Sequence, residues 1–160
     1  MSITAVTKMI AYTVALLAFA VAANAAGAAE HQRALVLSSS ASVILLAERG
    51  DVEAQAKLGG MFLTGRGVPQ DFHKAAKWYY LAAVQGHREA QYQLGLLYNK
   101  GQGVARDYVL SYLWLNLSAS QAVGNDRDFK ARMRDAVATK MTVAEIALAQ
   151  QMALTWYKTR

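Results

Sequence analysis

The chain has 160 residues, 54% of them hydrophobic and 18% charged, with a formal net charge of +6, no cysteine and one proline. That length suits one domain or a short repeat array with a buried core, and the lack of cysteine removes disulfide frameworks, thiolate zinc sites and cysteine nucleophiles. Scarce proline and an Ala/Leu-rich bulk exclude collagen-like and disordered chains and point to helix.

The first element is apolar. Met9 to Ala23 reads MIAYTVALLAFAVAA, without a charge, preceded by Lys8 and followed by Ala23-Asn24-Ala25. A basic start, a short apolar run and a small-residue exit form the layout of a secretory signal peptide. The peptidase admits only small side chains at the positions taken by Ala23 and Ala25, so residues 1–25 are expected to be removed after Ala25, and the periplasm is the expected address. The rival is an uncleaved inner-membrane tether, since Met9 to Ala29 is uncharged for 21 residues and a span needs roughly 20. The mild positive charge favours anionic surfaces such as lipid head groups or cell-wall polymers. Nucleic acid is not expected, because the basic residues Arg127, Lys130, Arg132 and Arg134 are interspersed with Asp128 and Asp135 instead of gathered with aromatic platforms.

Residues 26–49 read as a linker followed by a degenerate capping helix. Ala34 to Ala47 carries Leu35, Leu37, Val43, Ile44 and Leu46 and ends in AERGD, an echo of the AVQGH at 83–87. It looks like the second helix of a degraded repeat.

Residues 50–121 contain two copies of one unit. Shifting the sequence by 36 residues aligns Gly50–Gln85 with Gly86–Gln121, and 14 of 36 pairs are identical, among them Gln55/Gln91, Gly59/Gly95, Gly65/Gly101, Gly67/Gly103, Asp71/Asp107, Trp78/Trp114 and Gln85/Gln121. A fixed period of this size is the mark of a solenoid, whose units cannot bury their apolar faces alone. Each unit reads as a helical hairpin. In its first helix Ala54, Leu58, Met61 and Phe62 make a stripe of 3.6-residue period, repeated by Ala90, Leu94, Leu97 and Tyr98. Gly65 and Gly101 stand where a left-handed residue stops a helix, with Gly67 and Gly103 in the turn that follows. Asp71 and Asp107 are placed to cap the second helix, which offers Phe72, Ala75, Ala76, Tyr79 and Ala83 to one side. Gly59, Gly95, Ala75 and Ala82 permit close helix approach.

Residues 122–160 read as C-terminal capping helices. Phe129, Met133 and Val137 suggest one, and Thr142 to Glu145 form a capping box that opens another, with Ile146, Ala149, Ala153 and Trp156 inward.

The spacing AQxxLGxxY…GxGVxxDxxxAxxWxxxAAxxG resembles the Sel-one-like repeat, a relative of the tetratricopeptide repeat. Both units carry it, departing at Gly60, where a larger residue is usual, and at Ser111, where alanine is. SYLWLNLSAS and MTVAEIALAQQMA are similar to the closing segment of bacterial members. The resemblance implies an all-α, right-handed solenoid of antiparallel helix pairs and a role as an adaptor for another protein or peptide in the cell envelope. It further implies that the concave face, lined by first helices, is the binding surface. The positions turned away from the core stripe there include Leu63 in one unit and Glu89, Tyr92, Leu96, Asn99 and Lys100 in the next. An aromatic beside an amide and an ammonium suits a peptide backbone and a carboxylate.

No catalytic constellation appears. Gly65-Arg66-Gly67 and Gly101-Gln102-Gly103 lack a third glycine or Gly-Lys-Ser/Thr and read as turns. His31, His73 and His87 lie far apart, without metal-ligand spacing, and Ser38–Ser40 and Ser42 lack a nucleophile elbow. Asp71 and Asp107 are explained as caps, and Glu53 and Glu89 by their place in a first helical turn. The aromatics Trp78, Tyr79, Tyr80, Tyr112 and Trp114 read as packing. No cofactor and no catalytic activity are expected. The alternatives are a protein that binds or degrades cell wall, and a membrane-tethered scaffold.

Overall fold

The computed structural model describes residues 39–158, which are helical with no strand among them. The signal segment, the linker and residues 34–38 of the first cap lie outside the described residues. Helix α1 covers residues 39–48. It is followed by α2 (Val52–Thr64), α3 (Phe72–Val84), α4 (Arg88–Lys100), α5 (Tyr108–Ser120), α6 (Gly124–Ala138) and α7 (Val143–Lys158). The four helices of the two repeats are each 13 residues long, so the period of the sequence is a period of the backbone.

Local chemistry sets the ends of these helices. Asp51, Asp71 and Asp107 accept the backbone N–H of Ala54 (2.7 Å), Lys74 (3.0 Å) and Leu110 (2.9 Å), satisfying donors that a helix start leaves open. His87 replaces aspartate at the start of α4, its Nδ1 accepting from Ala90 N at 3.0 Å. Gly65 and Gly101 close α2 and α4 with φ of 73° and 68°, and their N–H groups return to Met61 and Leu97. The capping box is formed at the last helix: the Glu145 carboxylate accepts from Thr142 N at 2.7 Å, and Glu145 N donates to the Thr142 hydroxyl at 3.3 Å. Those contacts hold the Glu145 carboxyl below the ordinary range, as the Lys74 N–H does for Asp71.

Packing follows the expected stripes. Ala75, Ala76, Tyr79, Ala82 and Ala83 of α3 join Ala90, Leu94 and Leu97 of α4, Leu113, Trp114 and Leu117 of α5 and Ala153 of α7 in the largest core cluster. Hairpin helices approach closely because Gly59 lies under the Tyr79 ring and Gly95 under Leu115, where an added Cβ would stand 2.8 and 2.7 Å from the nearest atom.

Helix α1 takes the place of a second helix belonging to a preceding unit. Its Val43 and Ala47 pack on Ala54 and Leu58, and Asp51 N returns to Leu46 O (3.1 Å) as His87 N returns to Ala82 O (3.0 Å), 36 residues on. At the other end, α6 and α7 each pack on α5. The stripe on α6 differs from the one the sequence suggested. Met133 and Val137 pack inward as expected, but Phe129 is 45% exposed while its neighbour Lys130 is 3% exposed, so the first turn of the stripe is led by a lysine.

Candidate functional site

Two glutamine pairs, present in the sequence as bare identities, each close one repeat, and their central members bond back to a carbonyl of the helix before it. Gln55 donates to Ala47 O (3.3 Å) and accepts from Gln85 Nε2 (2.7 Å); Gln91 donates to Ala83 O (3.2 Å) and accepts from Gln121 Nε2 (3.0 Å). Both central amides are buried, and each finds a donor and an acceptor, which is the condition for placing an amide in a core. Their recurrence 36 residues apart was the available signal for this role.

The residues expected on an open first-helix face are distributed differently. Tyr92 is 9% exposed, its ring 6.0 Å from that of Phe129 and beneath the Lys130 ammonium at 5.5 Å. Asn99 accepts from Lys140 Nζ at 3.0 Å, Leu96 packs in the cluster shared by α4, α5, α6 and α7, and Glu89 pairs with Lys130 at 3.4 Å. Lys100 remains exposed and Leu63 half-buried. The physical reason for the departure is that a position facing away from its own hairpin partner faces the next helix of the array, and here α6 occupies that place. Burial pushes the Tyr92 hydroxyl pKa up, with the Glu89 charge adding to it.

Lys130 was legible only as one basic residue in a mixed run. Its ammonium is almost fully buried yet meets Glu89 and Asp126, each at 3.4 Å, and the Tyr92 ring, so the desolvated cation is paired on two sides. His87 likewise joins two units. Because its Nδ1 accepts the Ala90 N–H, Nε2 carries the ring proton and donates to Glu53 at 3.3 Å. Glu53, His87, Arg88, Glu89 and Gln121 line a polar hollow of about 360 Å³ at this junction. Among the described residues no three histidine, aspartate or glutamate side chains gather to hold a metal.

An open groove lies instead along the second helices. A hollow of about 610 Å³ is walled by Tyr80, Tyr98, Leu113, Trp114, Leu148 and Trp156. Tyr80 is 48% and Leu148 50% exposed, while Trp114, 4% exposed, is held edge-on by Tyr80 at 6.2 Å and by Trp156 at 5.4 Å. A second hollow of about 360 Å³ shares Tyr80 and Tyr98 and continues past His73 and Lys77 to Gly103 and Val104. The His73 Nδ1 donates to Gly103 O at 3.0 Å, fixing this end of the groove between repeats. Half-exposed Tyr80 and the docking of α7 on α5 make the groove. Sequence reasoning treated Tyr80 and Trp114 as packing, and nothing in the periodic pattern placed Leu148 beside them.

Comparison with known proteins agrees with the repeat fold. The Sel1 repeat model matches residues 52–87 and 88–123. A protective antigen of uropathogenic Escherichia coli strains displaying an SLR fold superposes with a TM-score of 0.70 at 30% identity, over 76% of this chain and 26% of its own length. A Sel1 repeat protein from Oxalobacter formigenes superposes with a TM-score of 0.53 at 43% identity, over 58% of this chain and 68% of its own. The chain therefore spans about a quarter of the Escherichia coli protein. No curated protein matches it.

Proposed function

This chain belongs to the Sel1 repeat family, and from that premise we propose that it is an exported adaptor that holds a segment of another protein in the second-helix groove. Sel1 repeats are in general protein–protein interaction modules and non-catalytic scaffolds. The observation that carries the finer reading is the groove itself: half-exposed Tyr80 and Leu148 flank a continuous apolar wall of Tyr98, Leu113 and Trp156. Amphipathic aromatics beside open apolar surface are the side chains that dominate binding in protein interfaces. The first-helix residues Glu89 and Tyr92 are engaged by α6 and Asn99 by Lys140 just after it, while Leu63 packs against the core, which leaves Lys100 exposed there. A sugar platform fits less well, because Trp114 is buried edge-on between two rings and presents no open face.

The proposed address is the periplasm. It rests on the apolar run from Met9 to Ala23 and the Ala23-Asn24-Ala25 exit. Among the described residues no helix is long and apolar enough to cross a membrane.

Capture from envelope extract tests the adaptor reading, with three baits: the wild-type chain, Leu148→Asp, and a Tyr92/Asn99/Lys100 triple-alanine form. A protein held by the wild type and the triple variant but lost with Leu148→Asp supports the groove. Because Tyr92 is buried, loss with the triple variant alone returns the site to the first helices only where its circular dichroism and melting temperature match the wild type. Binding of purified murein without any protein favours the wall-binding alternative. N-terminal sequencing of the exported protein tests the address, with Ala26 as the expected first residue and an intact Met1 indicating a tether.

A further inference from the structure

Resting on the groove reading above, we infer that the segment it accepts is acidic as well as apolar: a run of large apolar side chains with a carboxylate that meets Lys77. Neither hollow is lined by aspartate or glutamate. The one lysine that lines them, Lys77, is exposed, one helical turn from His73 and from Tyr80 along α3. Lys57, Lys100 and Lys158, exposed like Lys77, line neither hollow, and three further lysines are engaged. Lys74 pairs with Asp71 at 3.5 Å, Lys130 with Glu89 and Asp126, and Lys140 with Asn99. Lys77 takes part in none of the ion pairs among the described residues.

One carboxylate that acts on the groove wall is that of Asp107, whose charge adds to the burial that raises the Tyr98 hydroxyl pKa. It accepts the Leu110 N–H at the start of α5 and does not line either hollow. An ammonium at the rim of an apolar wall with no acid in it attracts a carboxylate and repels a basic segment, giving selectivity more than raw affinity. The apolar part of the segment lies between Tyr80, Leu148 and Trp156, and its acid end reaches back along α3 toward His73 and Lys77.

The experiment uses the full chain and three synthetic peptides sharing one Phe/Leu core and ending in two Asp, two Asn or two Lys. Binding is read by the change in tryptophan fluorescence, since two of the three tryptophans, Trp114 and Trp156, lie in the groove wall. The Asp peptide is expected to bind about tenfold tighter than the Lys peptide at low salt, and the gap is expected to narrow at high salt. Lys77→Glu should reverse that order and Lys77→Gln remove it. Lys77 is exposed, so both variants should keep the wild-type circular dichroism and melting temperature. Equal binding of the Asp and Lys peptides, or an order unchanged in Lys77→Glu, overturns the acidic segment while leaving the groove intact. Failure of all three peptides, persistence of binding in Leu148→Asp, or quenching by soluble murein fragments in place of peptides overturns the groove reading and this inference with it.

Discussion

Replacing Gly103 with alanine should destabilise the array about three times as much as replacing Gly101, although the two have φ of 72° and 68°. The conformational penalty of alanine in the left-handed region is common to both, about 1 kcal/mol. The surroundings differ. At Gly101 a new Cβ would stand 3.2 Å from the Arg106 Cβ, a neighbour on the same exposed loop that can yield. At Gly103 it would overlap the Phe72 carbonyl and lie 2.6 Å from the His73 nitrogen, both backbone atoms at the start of α3 in the preceding repeat. The loop must therefore move off α3, costing the His73–Gly103 hydrogen bond and the packing of Val104 against the core. Overpacking against rigid backbone adds about 2 kcal/mol, for a total near 3 kcal/mol. At about 4 °C per kcal/mol for a domain of this size, Gly101→Ala should lower Tm by ~4 °C and Gly103→Ala by ~12 °C. Thermal and urea unfolding followed by circular dichroism reads both. Equal losses would refute the claim that the turn of one repeat rests on the helix start of the previous one.

Other consequences can be checked in the same assays. Gln121→Ala removes the donor to the buried Gln91 oxygen and should cost about 1–2 kcal/mol; an unchanged urea midpoint would mean that the glutamine ladder is incidental. Asp107→Ala deprives Leu110 N of its cap and should cost about 1 kcal/mol, with a smaller loss for Asp107→Asn; equal losses would point to the charge instead of the cap. Burial pushes the Tyr79 hydroxyl up to about 12 from 10.0, with the Glu89 charge adding to the shift. A raised folded pKa gives stability that is whole below 10 and lost as pH rises toward 12, because only the unfolded chain ionises in that window. Tyr79→Phe should flatten this alkaline loss, and an undiminished loss would assign it elsewhere.

The 36-residue period determined the helical hairpins, and single residues determined their ends, because a stripe at 3.6-residue spacing, a glycine stop and an aspartate cap act within a few residues of themselves. Asp71, Asp107, Gly65 and Gly101 therefore stand where the sequence placed them. The period carried less about what lies between units. Tyr92 and Asn99 read as solvent-facing because a helical stripe registers only the strongest apolar neighbour, whereas a solenoid helix also touches the helix of the next unit. The period also ends at the caps. The burial of Lys130 depends on Glu89, Asp126 and Tyr92 converging from two helices, a pairing that no single-helix pattern encodes. The groove arises the same way. Sequence alone marked Tyr80 and Trp114 as packing and Trp156 as inward on the last helix, and left Leu148 unmarked. The packing of α7 on α5 brought them to one wall, since contact between residues dozens of positions apart is fixed by how helices dock and not by their spacing in the chain.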